Sequence, residues 1–121
     1  MQIHFKGSNY ELNPEITEYA RPKLRALKKF TKRAEETAHA YVDLGRIGDQ
    51  SAGKVWRSEI NFDAEGRRFR AEATEESLEA AIDVSVAELA RELRSAKKRD
   101  ESLARRGGAL VKSLMRGFRT R

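Results

Sequence analysis

Residues 21 to 33 carry seven Lys or Arg side chains and no acid, and residues 91 to 99 carry five with a single acid, Glu92. Ammonium and guanidinium groups gathered in this way are charge-assisted donors to phosphate oxygens, and on meeting a polyanion they release its condensed counterions. Recognition of a nucleic-acid backbone is the chemistry such residues suit. The net charge of +6 points the same way, but its distribution is more informative. Residues 101 to 121 hold six cations and one acid, whereas the first hundred residues hold 19 cations against 18 acids. The body of the chain is therefore patterned in charge, and two segments carry the asymmetry.

Other chemistries find little support. His4 and His39 lie in separate segments without a metal-ligand spacing such as H-E-x-x-H, so both read as ordinary strand histidines and no metal site is expected. The absence of cysteine rules out a thiolate nucleophile and a disulfide framework. There is no G-x-S-x-G elbow and no glycine-rich phosphate loop ahead of a helix. Asp43, Glu59 and Glu72 alternate along strand-like segments with Arg57 and Arg70 close by, which favours exposed cross-strand charge pairs over a catalytic carboxylate set. Trp56 reads as core or sheet packing. No catalytic residue, cofactor or small-molecule substrate is expected.

The elements that must position the cations follow from periodicity. Segment 1–7 alternates, with Met1, Ile3 and Phe5 on one side and Gln2, His4 and Lys6 on the other, the period of a half-buried strand. Asn13 then offers an N-cap, Pro14 fits the first helical position, and Glu15 and Glu18 suit the positive end of the helix dipole. Ile16, Ala20, Leu24, Leu27 and Phe30 fall within about 120° of one another and define the buried face of a first helix. Pro22 inside that helix removes a hydrogen bond, typically at about 3 kcal/mol, and predicts a bend. Ala38, Ala40, Val42 and Leu44 alternate with His39, Tyr41 and Asp43 in a second strand. Trp56, Ser58, Ile60 and Phe62, then "DAEG", then Phe69, Ala71 and Ala73 form a hairpin. From a capping box "TEES" or an N-cap at Ser77, a long helix follows, with Leu78, Ile82, Ser85, Val86, Leu89, Leu93 and Ala96 on one stripe. The order βαβββα predicts an α+β fold, a four-stranded sheet with both helices packed on one face.

On that scaffold the cations acquire directions. Arg91, Arg94 and Lys98 project within about 60° of each other, nearly opposite the buried stripe, with Lys97 flanking them. Arg21, Arg25, Lys28 and Lys32 form a comparable stripe on the first helix, with Lys23 and Lys29 to its sides. Helices lying side by side would join these into one basic surface suited to RNA phosphates.

The segments "QIHFKGSNYELNPEITEYARPKLRALKKF" and "ESLEAAIDVSVAELARELRSAKKR", with "AAID" at residues 80 to 83 the most specific piece, resemble the ribosome hibernation-promoting factors and ribosome-associated inhibitors in their short form. The resemblance spans roughly residues 1 to 99 and implies the same βαβββα fold. It also implies binding to the small ribosomal subunit, its 16S-type rRNA and ribosomal proteins, in the channel where messenger and transfer RNA sit, with reversible silencing of idle ribosomes. Carried over by position, the family's basic sites fall on Lys23, Lys29, Arg91 and Lys97. Ala26, Glu88 and Ser95 stand where the family is usually basic, and Glu79 where it commonly has tyrosine. Arg25, Lys28, Arg94 and Lys98 compensate from neighbouring positions. The alternative from a different class is a general double-stranded-RNA-binding module, which uses a similar layered architecture.

Residues 1 to 100 make up the predicted ribosome-binding domain and residues 101 to 121 a basic tail, flexible or a short helix after a break at Gly107 and Gly108. In the tail Leu110, Val111, Leu114 and Phe118 share one side. No apolar run approaches the roughly 20 residues that cross a bilayer, so no membrane partner and a cytoplasmic location are expected.

Overall fold

A computed structural model describes residues 1–31, 37–48 and 53–119, with side chains as far as residue 108. Strands β1 (Gln2–Ser8), β2 (His39–Arg46), β3 (Trp56–Ala64) and β4 (Arg67–Glu75) form one sheet in that spatial order. β1 runs parallel to β2, and the other two pairings are antiparallel. The parallel step needs a crossover, which helix α1 (Pro14–Arg25) provides. Helix α2 (Leu78–Arg119) follows the hairpin of β3 and β4.

The predicted alternation sets which face is covered. Ala40, Val42 and Leu44 of β2, Ser58, Ile60 and Phe62 of β3 and Ala71 and Ala73 of β4 all point to the helices and are buried. Ile16, Ala20, Leu24 and Leu27 close over them from the first helical segment, and Leu78, Ile82, Leu89, Leu93 and Ala96 from α2. The two serines in this otherwise apolar set meet: Ser58 Oγ and Ser85 Oγ are 2.8 Å apart with both residues fully buried, and Ser85 Oγ also donates to the Ile82 carbonyl at 3.1 Å. Each hydroxyl thus has a partner in a dry core, where an unmade bond is costly.

Local chemistry starts and stops the elements as expected. The Asn13 side chain accepts the Glu15 backbone N–H at 2.8 Å, and Ser77 Oγ accepts that of Ala80 at 3.1 Å, which makes Ser77 the N-cap of α2. The loop of β3 and β4 is two residues long, with Glu65 at φ 54° and Gly66 at φ 74°, the positive angles of a type I′ turn that matches strand twist.

One expectation gains detail and one changes. The first helix keeps α geometry past Pro22 to Arg25 and then tightens into a 3-10 segment, Ala26–Phe30, so the change of geometry lies beyond the proline. Pro22 is exposed, which leaves the Glu18 carbonyl it deprives of a donor on the side where water can satisfy it. The break predicted at Gly107 and Gly108 does not occur, and α2 runs unbroken for 42 residues, about 63 Å at 1.5 Å per residue. Glycine lowers helix stability by only about 1 kcal/mol per residue, and its neighbours "SLARR" and "ALVK" are mostly good helix formers. Among the described residues Ala96 is the last buried one of α2, and Asp100 bonds Arg67 of the hairpin at 3.4 Å before residues 103 to 108 become exposed.

Candidate nucleic-acid interface

The covered face of the sheet carries α1, the 3-10 segment and α2 side by side, and a cleft of about 210 Å³ runs between them. Ala26, Leu27, Val86, Ala87 and Ala90 form its small apolar floor, while Lys23, Lys29 and Asp83 stand on its rim. Tyr19 and Lys23 lie one turn apart on α1 and both reach Asp83 of α2. The Tyr19 hydroxyl donates to the two carboxylate oxygens at 2.8 and 2.9 Å, and Lys23 Nζ lies 3.2 Å from Oδ1 and 4.9 Å from the centre of the Tyr19 ring. The bond to Asp83 raises the Lys23 ammonium and the Tyr19 phenol above their ordinary values, because each would lose an anionic acceptor on deprotonation.

Further along, Phe30 is set between two cations, with Lys29 Nζ 5.3 Å and the Arg94 guanidinium carbon 5.8 Å from its ring centre. Lys97 lies beyond them in a second cleft of about 390 Å³, shared with Lys29, Phe30, Leu93 and the ion pair of Arg67 and Asp100. The predicted residues therefore divide. Lys23, Lys29, Arg94 and Lys97 gather where the two helical segments meet. Arg91 sits on the other flank of α2, beside Phe69, Ser95 and Arg99. Arg25, Lys28 and Lys98 are exposed on outward surfaces. Arg21 belongs to neither group, since it bonds Glu18 at 3.4 Å and covers the Phe5 ring at 5.2 Å. Lys32, the last member of the predicted stripe, lies outside the described residues. Periodicity alone missed the part played by Tyr19 and Asp83, although the spacing of Tyr19 and Lys23, four residues apart on one helix face, was a signal that they act together.

The uncovered face of the sheet closes its charges on itself, as expected of cross-strand pairs. Arg57 bonds Glu72 at 2.6 Å and also Glu59, while Arg70 reaches Glu59 at 2.9 Å and Glu72 at 2.8 Å. Arg68 holds Asp63 at 2.6 Å and Ser8 donates to Asp43 at 2.6 Å. These arginines hold Glu59, Glu72 and Asp63 below the usual carboxylate range. The two strand histidines turn out to be neighbours: His4 Nε2 and His39 Nδ1 are 3.0 Å apart, and the Tyr41 ring stacks 4.8 Å from that of His4. Trp56 is half-buried and packs edge-on against Tyr10 at 5.6 Å. Among the described residues no group of three or more potential metal ligands occurs, and none of their helices is long and apolar enough to cross a membrane.

A four-stranded sheet with its arginines ion-paired on one face and two helices rimmed by cations on the other defines a small α+β domain. The chain belongs to the family described as sigma 54 modulation protein / S30EA ribosomal protein, whose model matches residues 3–101. Among solved structures it is similar to the N-terminal domain of Protein Y from Thermus thermophilus, with 28% identity and a TM-score of 0.63 over 78% of this chain and 93% of that one. A ribosomal subunit interface protein from Coxiella burnetii shares the fold, with a TM-score of 0.65 and 15% identity over 81% of this chain and 99% of that one. No curated protein sequence gives a significant match.

Proposed function

We propose that this protein is a ribosome hibernation factor that binds the small ribosomal subunit through its helical face, in the channel that messenger and transfer RNA use, and reversibly prevents translation by idle ribosomes. It acts by occupying that site in the cytoplasm, without cleaving RNA. The observation that carries the reading is the cation rim of the helical face, with Lys29 and Arg94 against Phe30 and Lys97 in the adjoining cleft, none of the three in an ion pair among the described residues. Family membership and the likeness to the Protein Y domain support the ribosome as the anionic surface concerned. Lys98 and, on the other flank of α2, Arg91 add cations to the helical face, as Arg25 and Lys28 do on the first helical segment.

Sedimentation of the purified protein with ribosomal subunits through a sucrose gradient tests the proposal. The protein is expected to travel with small subunits and to leave them as salt rises, and translation in an extract is expected to resume after its removal. Ribosomal RNA cleaved by the protein would sink the occupancy mechanism. The exposed row Arg91, Arg94 and Lys98 also suits the phosphates of a duplex, so equal affinity for any RNA duplex and for small subunits would favour a general double-stranded-RNA-binding module instead.

A further inference from the structure

We infer that Asp83 is a specificity-determining residue, which with Tyr19 withdraws Lys23 from indiscriminate phosphate binding. The inference rests on the reading that the helical face meets RNA, and it concerns how that face selects its ligand. Lys23 is the most heavily engaged cation of the rim: its ammonium lies 3.2 Å from Asp83 and 4.9 Å from the Tyr19 ring centre, while the Tyr19 hydroxyl fixes the carboxylate through both oxygens. Among the described residues, Lys29 and Lys97 form no ion pair with an acid.

Stability does not explain this arrangement. The Lys23 and Asp83 side chains are 39% and 47% exposed, and ion pairs so open to water add little to folding. The electrostatic effect on a ligand is larger. A phosphate brought to Lys23 must either displace Asp83 or approach its negative charge, and a like charge in the path of a wrong ligand is a general means of rejecting it. A hydrogen-bond donor, such as a ribose hydroxyl or a base amine, can instead bond Asp83 while the pair stays closed. The end of the cleft at Lys23 is thus made for a donor, and the end at Lys29 for a phosphate.

The test measures binding of the full chain to an RNA duplex of non-ribosomal sequence at several salt concentrations, after equal thermal midpoints have been confirmed. Asp83→Asn is expected to steepen the slope of log affinity against log salt by about 0.7 to 0.9, one additional phosphate, which is about a threefold larger loss of affinity over a fourfold rise in salt. Glu11→Gln, which alters net charge equally at an exposed site of the loop after β1, is expected to leave the slope unchanged. Asp83→Asn combined with Lys23→Gln is expected to restore the wild-type slope. Lys23→Gln alone, independent of whether the Asp83 variant folds, is expected to leave the slope as it was. An Asp83→Asn protein with the wild-type slope overturns the inference, as does a steepening that survives removal of Lys23 or a Lys23→Gln protein with a flatter slope. None of these outcomes depends on the ribosome, whereas the functional proposal fails separately if wild-type protein does not sediment with small subunits.

Discussion

The two faces of the sheet differ both in how many cations they carry and in what those cations touch. On the open face, β3 and β4 place Glu59 directly opposite Glu72, an arrangement that would repel, and Arg57 and Arg70 each bridge the two. Arg68 likewise holds Asp63, so Arg57, Arg68 and Arg70 are all paired within the sheet. On the helical face, Lys29 and Arg94 lie against Phe30, Lys97 lines the cleft beside them, and Arg91 and Lys98 are exposed along α2. The helical face carries more cations, and among the described residues Lys28, Lys29, Lys97 and Lys98 there form no ion pair with an acid. The Lys23 and Asp83 pair shows the pattern of the open face planted within the other.

The sharpest way to break this comparison is charge reversal. Lys29→Glu, Arg91→Glu and Lys97→Glu together are expected to lower small-subunit affinity by at least about a hundredfold and to flatten its salt dependence, since each true phosphate contact contributes about 0.7 to 0.9 to the slope. Reversal at Arg21 and Arg25 is expected to reduce binding less. Arg57→Gln with Arg70→Gln on the open face is expected to stay within about twofold of wild type. A larger effect from the open-face variant in the same sedimentation assay would invert the assignment of the binding face.

A smaller effect is expected at the bond that fastens sheet to helix. Ser85→Ala leaves the Ser58 hydroxyl without its partner in the core and is expected to cost about 1–3 kcal/mol in urea denaturation. Ser58→Ala is expected to cost less, because Ser85 keeps the Ile82 carbonyl. The double alanine variant is expected to cost less than the sum of the two, because no hydroxyl is then left unpaired. All three are expected to leave the salt slope of RNA binding unchanged, which separates stability from recognition.

Deleting residues 105 to 121 removes six cations and, among the described residues, none of the core. The truncated protein is expected to keep its thermal midpoint and its sheet signal in circular dichroism, with weaker ribosome binding that fades as salt rises. A truncation that unfolds would place part of the core in the tail.

The pH response distinguishes the faces once more. Glu59 and Glu72 titrate below their ordinary value of 4.5 and Asp63 below 3.8, held down by Arg70, Arg57 and Arg68 respectively. A depressed carboxylate contributes stability above its unfolded value and loses it as pH falls through the folded one. Thermal midpoints are thus expected to decline as pH drops below about 4.5, and to decline less in the Arg57→Gln, Arg70→Gln variant. The smallest signal belongs to the helical face: Tyr19 is expected to ionise above 10.0 by ultraviolet absorbance and to return toward that value in Asp83→Asn.

Much of this architecture was legible residue by residue. Period-two alternation marked Ile3 and Phe5, Val42 and Leu44, and Ile60 and Phe62 as one side of a sheet, while Asn13, Ser77 and the Glu65–Gly66 turn announced where elements begin and reverse. These signals are local, since a cap or a two-residue turn needs only its immediate neighbours, and burial on one side imposes its period on the chain. The sequence by itself also determined that two helices would carry the positive charge. Tertiary structure decided which of those charges remain available. Lys23 meets an acid 60 positions further along the chain, His4 meets His39, and Ser58 meets Ser85, because packing α1 beside α2 and β1 beside β2 brings together side chains whose separation no periodicity encodes. The continuity of α2 through Gly107 and Gly108 was decided in the same way. A glycine pair permits a break but does not compel one, and the long apolar stripe of α2 anchored on the sheet lets the helix propagate past it, because extending an existing helix avoids the cost of nucleating a new one.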